Sequence, residues 1–406
     1  MAENWPLILG SFVGMMLGVA AIPLYVVGPI VRAMQADFGW SGNVLFACAA
    51  LLSAGVTVAT PLVGRLADRF PARVIGLVSL SALALCFACI GLISGPSWQI
   101  ELIYFLLGLL GAGSGGIIYS KAIGARLVKA RGTALGIILS STGITAFGTP
   151  LLAQWILLSH GWRAVGPSIA GLILLVAVPF VWLTLPSSRP VAAPSADGEQ
   201  QADITSGGTL PSRALRDIRF YIILGSASLF GLLITSAIIN IFPALVERGI
   251  ASERAAQIAS TLGVAIIVGR LGVGYLLDYM RPAIVGVGMF LAGAAGTALF
   301  ALADGNSAIV AVICMGLLIG AEIDLISFMV LWYFGVRFFG AIFGILFSLY
   351  TGSTIAGPIL GAILLRSGGY PLLYMSAAAT FAMAALAMLA LCFVGPSRDA
   401  ASRLAE

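Results

Sequence analysis

Of the 406 residues, 60% are hydrophobic and only 9% are charged, with a mean hydropathy of +1.08, whereas an ordinary soluble domain carries roughly 25% charged residues. That excludes a water-soluble enzyme. The net charge of +5 does not argue for nucleic acid either, because the basic residues stand in short clusters between apolar segments instead of forming one surface.

Lipid offers a backbone no hydrogen bonds, and no segment alternates at the barrel period, so the apolar stretches are predicted as spanning helices. A span needs about 20 mainly apolar residues. Twelve can be placed, at roughly 7–31, 42–63, 74–94, 100–120, 133–157, 164–185, 219–244, 255–277, 283–303, 308–333, 340–364 and 371–394. Residues 1–5 hold no Lys or Arg and the stretch after them is full length, so the first span is expected to be retained and not cleaved as a signal. Gly10, Gly14 and Gly18 recur in it at four-residue spacing, and Gly108, Gly111, Gly113, Gly115 and Gly116 crowd the fourth; both sets read as close-packing positions. The five cysteines lie inside apolar segments, where no disulfide or metal site is expected. His160, the sole histidine, falls in an outer loop, badly placed for a midplane proton relay.

Residues 186–216 are rich in Ser, Gly, Pro, Ala and acids and lack a hydrophobic face, which predicts a flexible linker. The expected organisation is a six-helix bundle at 1–185, a cytoplasmic linker at 186–216, a second six-helix bundle at 217–396 and a cytoplasmic tail at 397–406. The fold class is thus all-α integral membrane, with twelve helices as two pseudo-symmetric bundles. Placing both termini in the cytoplasm puts most basic residues inside, among them Arg65, Arg69, Arg73, Lys121 and Arg126, against five arginines outside. Lys121 reads as a cytoplasmic flank.

The halves repeat. Gly64-Arg65-Leu66-Ala67-Asp68-Arg69 after the second span answers Gly274-Tyr275-Leu276-Leu277-Asp278-Tyr279 after the eighth, and Arg131 to Ile137 entering the fifth answers Phe339 to Ile345 entering the eleventh. Internal duplication of six-span halves is a transporter architecture. Over essentially the whole chain, this layout and the Gly64–Arg69 loop resemble the major facilitator superfamily. Phe38-Gly39-Trp40-Ser41, Gly320-Ala321-Glu322-Ile323-Asp324-Leu325 and Tyr333-Phe334-Gly335 are similar to its monocarboxylate transporter and oxalate:formate antiporter branch.

Arg270 stands within the apolar run of the eighth span, about eight residues and hence roughly 12 Å from Asp278. A charge at that depth is costly unless paired or facing water, which marks it as a functional-site candidate. A guanidinium offers two parallel hydrogen bonds to a carboxylate, and the resemblance implies that an eighth-span arginine binds the substrate carboxylate. Glu322 and Asp324 in the tenth span fall at similar depth; two residues apart on a helix, only one is expected to face Arg270, with Glu322 preferred as partner and proton carrier and Asp324 the alternative. A carboxyl group out of water takes up a proton when its cation is captured by an anion, which would couple proton to substrate. The aspartate that the animal monocarboxylate transporters would lead one to expect a turn before the arginine is Ile266 here, and 340–365 holds no Lys or Arg to match the antiporter's second cation. One buried cation suits a monocarboxylate. Tyr119, Asn240, Tyr25, Phe328 and Tyr350 are further substrate-binding candidates, with Ser236 beside them, and Gly64, Arg65, Asp68, Arg69 and Asp278 are expected to gate without touching substrate.

The expected function is a proton-coupled symporter of small organic monocarboxylates in the cell inner membrane, with no cofactor, functional as a monomer, with the bilayer, the substrate and a proton as its partners. The alternatives are a carboxylate exchanger or a receptor that binds without transport. An enzyme is not expected, because no nucleophile, base and orienter set, phosphate loop or metal cluster is found.

Overall fold

The structure, a computed structural model, describes residues 4–40, 43–127, 130–187, 209–302 and 307–394. The tail at 397–406 and linker residues 188–208 lie outside the described residues. In chain order the helices are α1 (Trp5–Met16), α2 (Ile22–Phe38), α3 (Asn43–Arg69), α4 (Ala72–Ile90), α5 (Ser97–Gly111), α6 (Gly116–Arg126), α7 (Arg131–His160), α8 (Trp162–Leu172), α9 (Val178–Thr184), α10 (Pro211–Ala214), α11 (Ile218–Ile239), α12 (Ile241–Glu247), α13 (Ser252–Tyr279), α14 (Pro282–Leu302), α15 (Ser307–Phe334) and α16 (Phe339–Val394).

Among the described residues ten helices are long and apolar enough to cross a membrane. The last of them, α16, is two spans: Gly368 and Gly369 leave helical geometry, the latter at φ 66°, just before Pro371. A φ of that sign is open to glycine at no steric cost, so the chain reverses there. With α16 counted as two and the divided first span as one, the expected twelve are present. The end of the expected linker is ordered, with the short α10 burying Ala214 and Thr209 donating its N–H to Phe334 O at 2.9 Å.

Three spans that read as continuous in the sequence are broken. The first stops at Met16 and resumes at Ile22 because Pro23 has no N–H and its ring excludes the carbonyl one turn back. Pro243 does the same in the seventh, which divides at Asn240. The fourth divides at a 3₁₀ turn, Ala112–Ser114, inside its glycine cluster; those glycines loosen the helix as well as pack it. Backbone groups freed inside an apolar bundle must find partners, and they do. Val19 N–H donates to Ser114 Oγ at 3.0 Å, which ties the first break to the fourth, and Thr145 Oγ1 donates to Met16 O at 2.6 Å.

The chain divides into two compact units, Met1–Val128 with Ile137–Gly208 and Val336–Ser348, and Lys129–Gly136 with Thr209–Gly335 and Leu349–Glu406. In the first unit α3 lies on α5 where Gly55 and Gly108 face each other's backbones. In the second, Phe230 packs on Phe290 and Phe381, with ring centroids 6.1 and 5.4 Å apart, and joins α11, α14 and α16 into one core. A Cβ on Gly108 would overlap the Leu52 carbonyl, whereas one on Gly288 would meet open space. Gly108→Ala is therefore expected to destabilise by about 1–3 kcal/mol, and Gly288→Ala to change little; thermal unfolding of the purified variants in detergent checks the contrast.

Candidate functional site

Two close-packed helices set the site. On α15, Gly316 and Gly320 lie against the backbone of α13: a Cβ at Gly316 would fall 2.9 Å from Leu262 O, and one at Gly320 would overlap Ile266 O and fall 3.1 Å from the Arg270 nitrogen. On α13, Gly269 meets Leu317 in the same way, its Cβ 2.5 Å from the Leu317 carbonyl oxygen. Small residues on both helices bring the axes together and put Arg270 beside the turn that carries Glu322 and Asp324. All three are buried, at 8%, 3% and 0% exposure.

Within this cluster Tyr350 of α16 donates its hydroxyl to Glu322 Oε2 at 3.0 Å. Glu322 Oε1, both oxygens of Asp324 and Ser327 Oγ have no hydrogen-bond partner among the described residues. Both acids lie on the part of α15 that Gly320 sets against the Ile266–Arg270 turn of α13.

The other candidates separate. Phe328 is buried and stacks on Trp332 at 5.9 Å. Asn240 sits in the break of the seventh span, where its Nδ2 donates to Ser236 O at 2.8 Å, and Ser236 Oγ donates to Gly357 O at 3.0 Å. Tyr25 is half-buried on α2. Tyr119 is fully buried, and its hydroxyl lies over Gly14 of α1 and near Gly76 of α4, beside Val181 of α9, inside the packing of the first unit. The ring fills the slot that Gly14 leaves, and its hydroxyl has no hydrogen-bond partner among the described residues.

The gating candidates form two matching helix caps. Asp68, at the end of α3, accepts N–H bonds from Gly340 (3.0 Å) and Ala341 (2.8 Å) in the first turn of α16, and Gly64 lies against the Gly340 backbone. Asp278, at the end of α13, accepts from Gly132 (2.6 Å) and Thr133 (2.9 Å) in the first turn of α7, and from the Thr133 hydroxyl at 2.6 Å. Each carboxylate satisfies N–H groups that a helix start leaves free and meets the positive end of its dipole. Arg65 and Arg69 are exposed.

Lys121, which the sequence suggested as a flank, is buried; its Nζ donates to Asp68 Oδ1 at 2.5 Å and to Ala67 O at 2.8 Å. The signal that would have found it is the packing of spans two and four, which brings a basic residue at the end of one beside an acid at the end of the other.

A buried guanidinium on the helix turn packed against two buried acids, within apolar helices of spanning length, is the kind of interior site through which a membrane carrier moves a small polar solute. Residues 13–352 match the Major Facilitator Superfamily, and the chain belongs to that family of transporters. It is 27% identical to the gallate transporter of Pseudomonas putida over 413 residues, covering 90% of this chain and 87% of that one. In fold it is similar to the human organic anion transporter MFSD10, with a TM-score of 0.71 and 16% identity over 96% of this chain and 100% of the other. It is also similar to the proton:xylose symporter XylE, with a TM-score of 0.73 and 16% identity over 98% and 97%.

Asp68→Ala leaves Lys121 buried without its anion. It is expected to cost roughly 3–5 kcal/mol, and Asp68→Ala with Lys121→Met to cost less than Asp68→Ala alone. Thermal unfolding of the two purified variants measures the difference.

Proposed function

We propose that the chain carries small organic monocarboxylate anions across the cell inner membrane by alternating access, in symport with protons. The observation that carries this reading is Arg270, a buried guanidinium deep in a span and facing two buried acids. Such a cation needs a counter-anion at every stage of a cycle, and a planar carboxylate is the solute that a guanidinium fork receives with two hydrogen bonds. Arg270 is the anchor, and Glu322 and Asp324 are the acids through which a proton is exchanged.

Two further observations support the substrate class. The relative in Pseudomonas putida is named for gallate, which is a trihydroxybenzoate and so a monocarboxylate. The motifs at 320–325 and 333–335 resemble the carboxylate-carrying branch. The bias of basic residues puts both termini and the linker at 186–216 in the cytoplasm. On that side Asp68 and Asp278 act as latches, each acid holding the start of a helix from the other half of the sequence. One chain contains the anchor, the acids and both latches, so the unit of function is a monomer.

Uptake of labelled gallate and labelled lactate into proteoliposomes, with an inward proton gradient imposed, tests the reading. At least one is expected to accumulate, and Arg270→Ala to lower its uptake on the order of a hundredfold, the equivalent of two charge-assisted hydrogen bonds. Uptake that ignores the gradient but needs an acid on the far side would replace symport by exchange. Uptake indifferent to Arg270 would remove the anionic substrate.

A further inference from the structure

Two buried carboxyls lie on the part of α15 packed against the Arg270 turn of α13, and their surroundings differ. Glu322 has a donor, the Tyr350 hydroxyl at 3.0 Å. Asp324 is completely buried and neither of its oxygens has a hydrogen-bond partner among the described residues; Ser327, one helical turn on, also keeps its buried hydroxyl without one. The ionisable groups on the helices packed against α15 are few. α13 brings Arg270, with Arg254 near its start and Tyr275, Asp278 and Tyr279 near its end; α14 has none between Pro282 and Leu302; α11 has Arg219 and Tyr221 at its start; and α16 brings Tyr350, with Arg366, Tyr370, Tyr374 and Cys392 further along. Of these, Arg270 is the group that acts on Asp324.

A carboxylate held in an apolar interior without a donor is costly, whereas one that accepts a hydrogen bond opposite a cation is tolerated. A proton on Asp324 removes the uncompensated charge, since neither of its oxygens accepts a hydrogen bond among the described residues. Glu322 already takes one hydrogen bond, from Tyr350 to Oε2, although its Oε1 has none.

We propose that the two acids divide the work: Asp324 is the proton-binding group, and Glu322, held by Tyr350, is a positioning residue that stays ionised and keeps Arg270 aimed at the substrate carboxylate. This rests on the symport reading above and assigns its proton to one residue: with Asp324 neutral, Arg270 is open to the incoming anion, and with Asp324 ionised, Arg270 has a counter-ion in its place.

Infrared spectroscopy of the purified, substrate-free protein, titrated from acid to alkaline pH, reads the protonated carboxyl directly. The expected result is a carboxylic-acid C=O band at neutral pH that shifts on ¹³C-aspartate labelling and not on ¹³C-glutamate labelling. It is lost in Asp324→Asn and kept in Glu322→Gln. Tyr350→Phe, which removes the donor to Glu322, adds a second band that moves with the glutamate label, a change that a purely structural tyrosine would not produce. Isotope labelling of the unmodified chain gives the answer even if a variant fails to fold. A band that follows the glutamate label, or no band at all, overturns the division of roles while gradient-driven uptake still stands. An aspartate band without gradient-driven uptake instead overturns the symport reading, and the coupling role falls with it.

Discussion

The positive charge of Arg270 is the constraint on which the second unit depends. A guanidinium at 8% exposure, in a stretch of helix (266–274) otherwise made of Val, Leu, Ile and Gly, is stable only while an anion is close. The structure meets this with geometry more than with numbers of contacts. Gly316 and Gly320 bring α15 onto α13, so that the two acids arrive within reach of a cation on the neighbouring helix. Larger side chains at those glycines would move the acids away and leave three buried charges uncompensated. The glycines nearest Arg270 thus serve electrostatics through packing.

Much of this was legible in the sequence, and the parts that were not share a cause. Apolar segments of spanning length fix the helices and their number, because lipid leaves the backbone no other way to satisfy itself. Counting 1.5 Å per residue from the span ends put Arg270, Glu322 and Asp324 at one depth, and Gly320, two residues before Glu322, lies against the Ile266–Arg270 backbone. Depth is a one-dimensional property and can be counted. Direction around a helix axis depends on which neighbour lies where, and it cannot be counted. Tyr119 was assigned by its span and turns into the slot over Gly14; Lys121 was assigned by its place at a span end and turns inward to Asp68. The break in the first span was foreshadowed by Pro23, yet a long apolar run conceals it, since composition alone carries no mark of where a helix stops.

The repeat between the halves is faithful in its polar anchors and loose elsewhere. Asp68 and Asp278 each cap the first turn of a helix that enters from the other half of the sequence, through the second and third residues of that helix. Their third partners differ: an ammonium from Lys121 in one case, a hydroxyl from Thr133 in the other. A cap with a buried ion pair loses more when its acid is removed than a cap completed by a neutral hydroxyl, because the stranded ammonium keeps only the Ala67 carbonyl and no counter-charge. The two caps are alike in geometry and unequal in consequence.

The same helices that carry the site carry the caps. On α13, Arg270 precedes Asp278 by eight residues, about 12 Å of continuous helix. On α16, Tyr350 follows the capped Gly340 by ten residues, about 15 Å, with no departure from helical geometry between them. A hydrogen-bonded helix is stiff over such lengths, so a shift that follows anion capture at Arg270 or loss of the Tyr350–Glu322 bond is delivered to the cap with little attenuation. Each cap is short, charged and directional; it holds fully or lets go, and does not stretch. The coupling proposed here would run along these helices from the ionic cluster to the helix starts. In the proposed carrier this is what lets one proton and one carboxylate, acting on a few side chains of α13, α15 and α16, decide when the latches open.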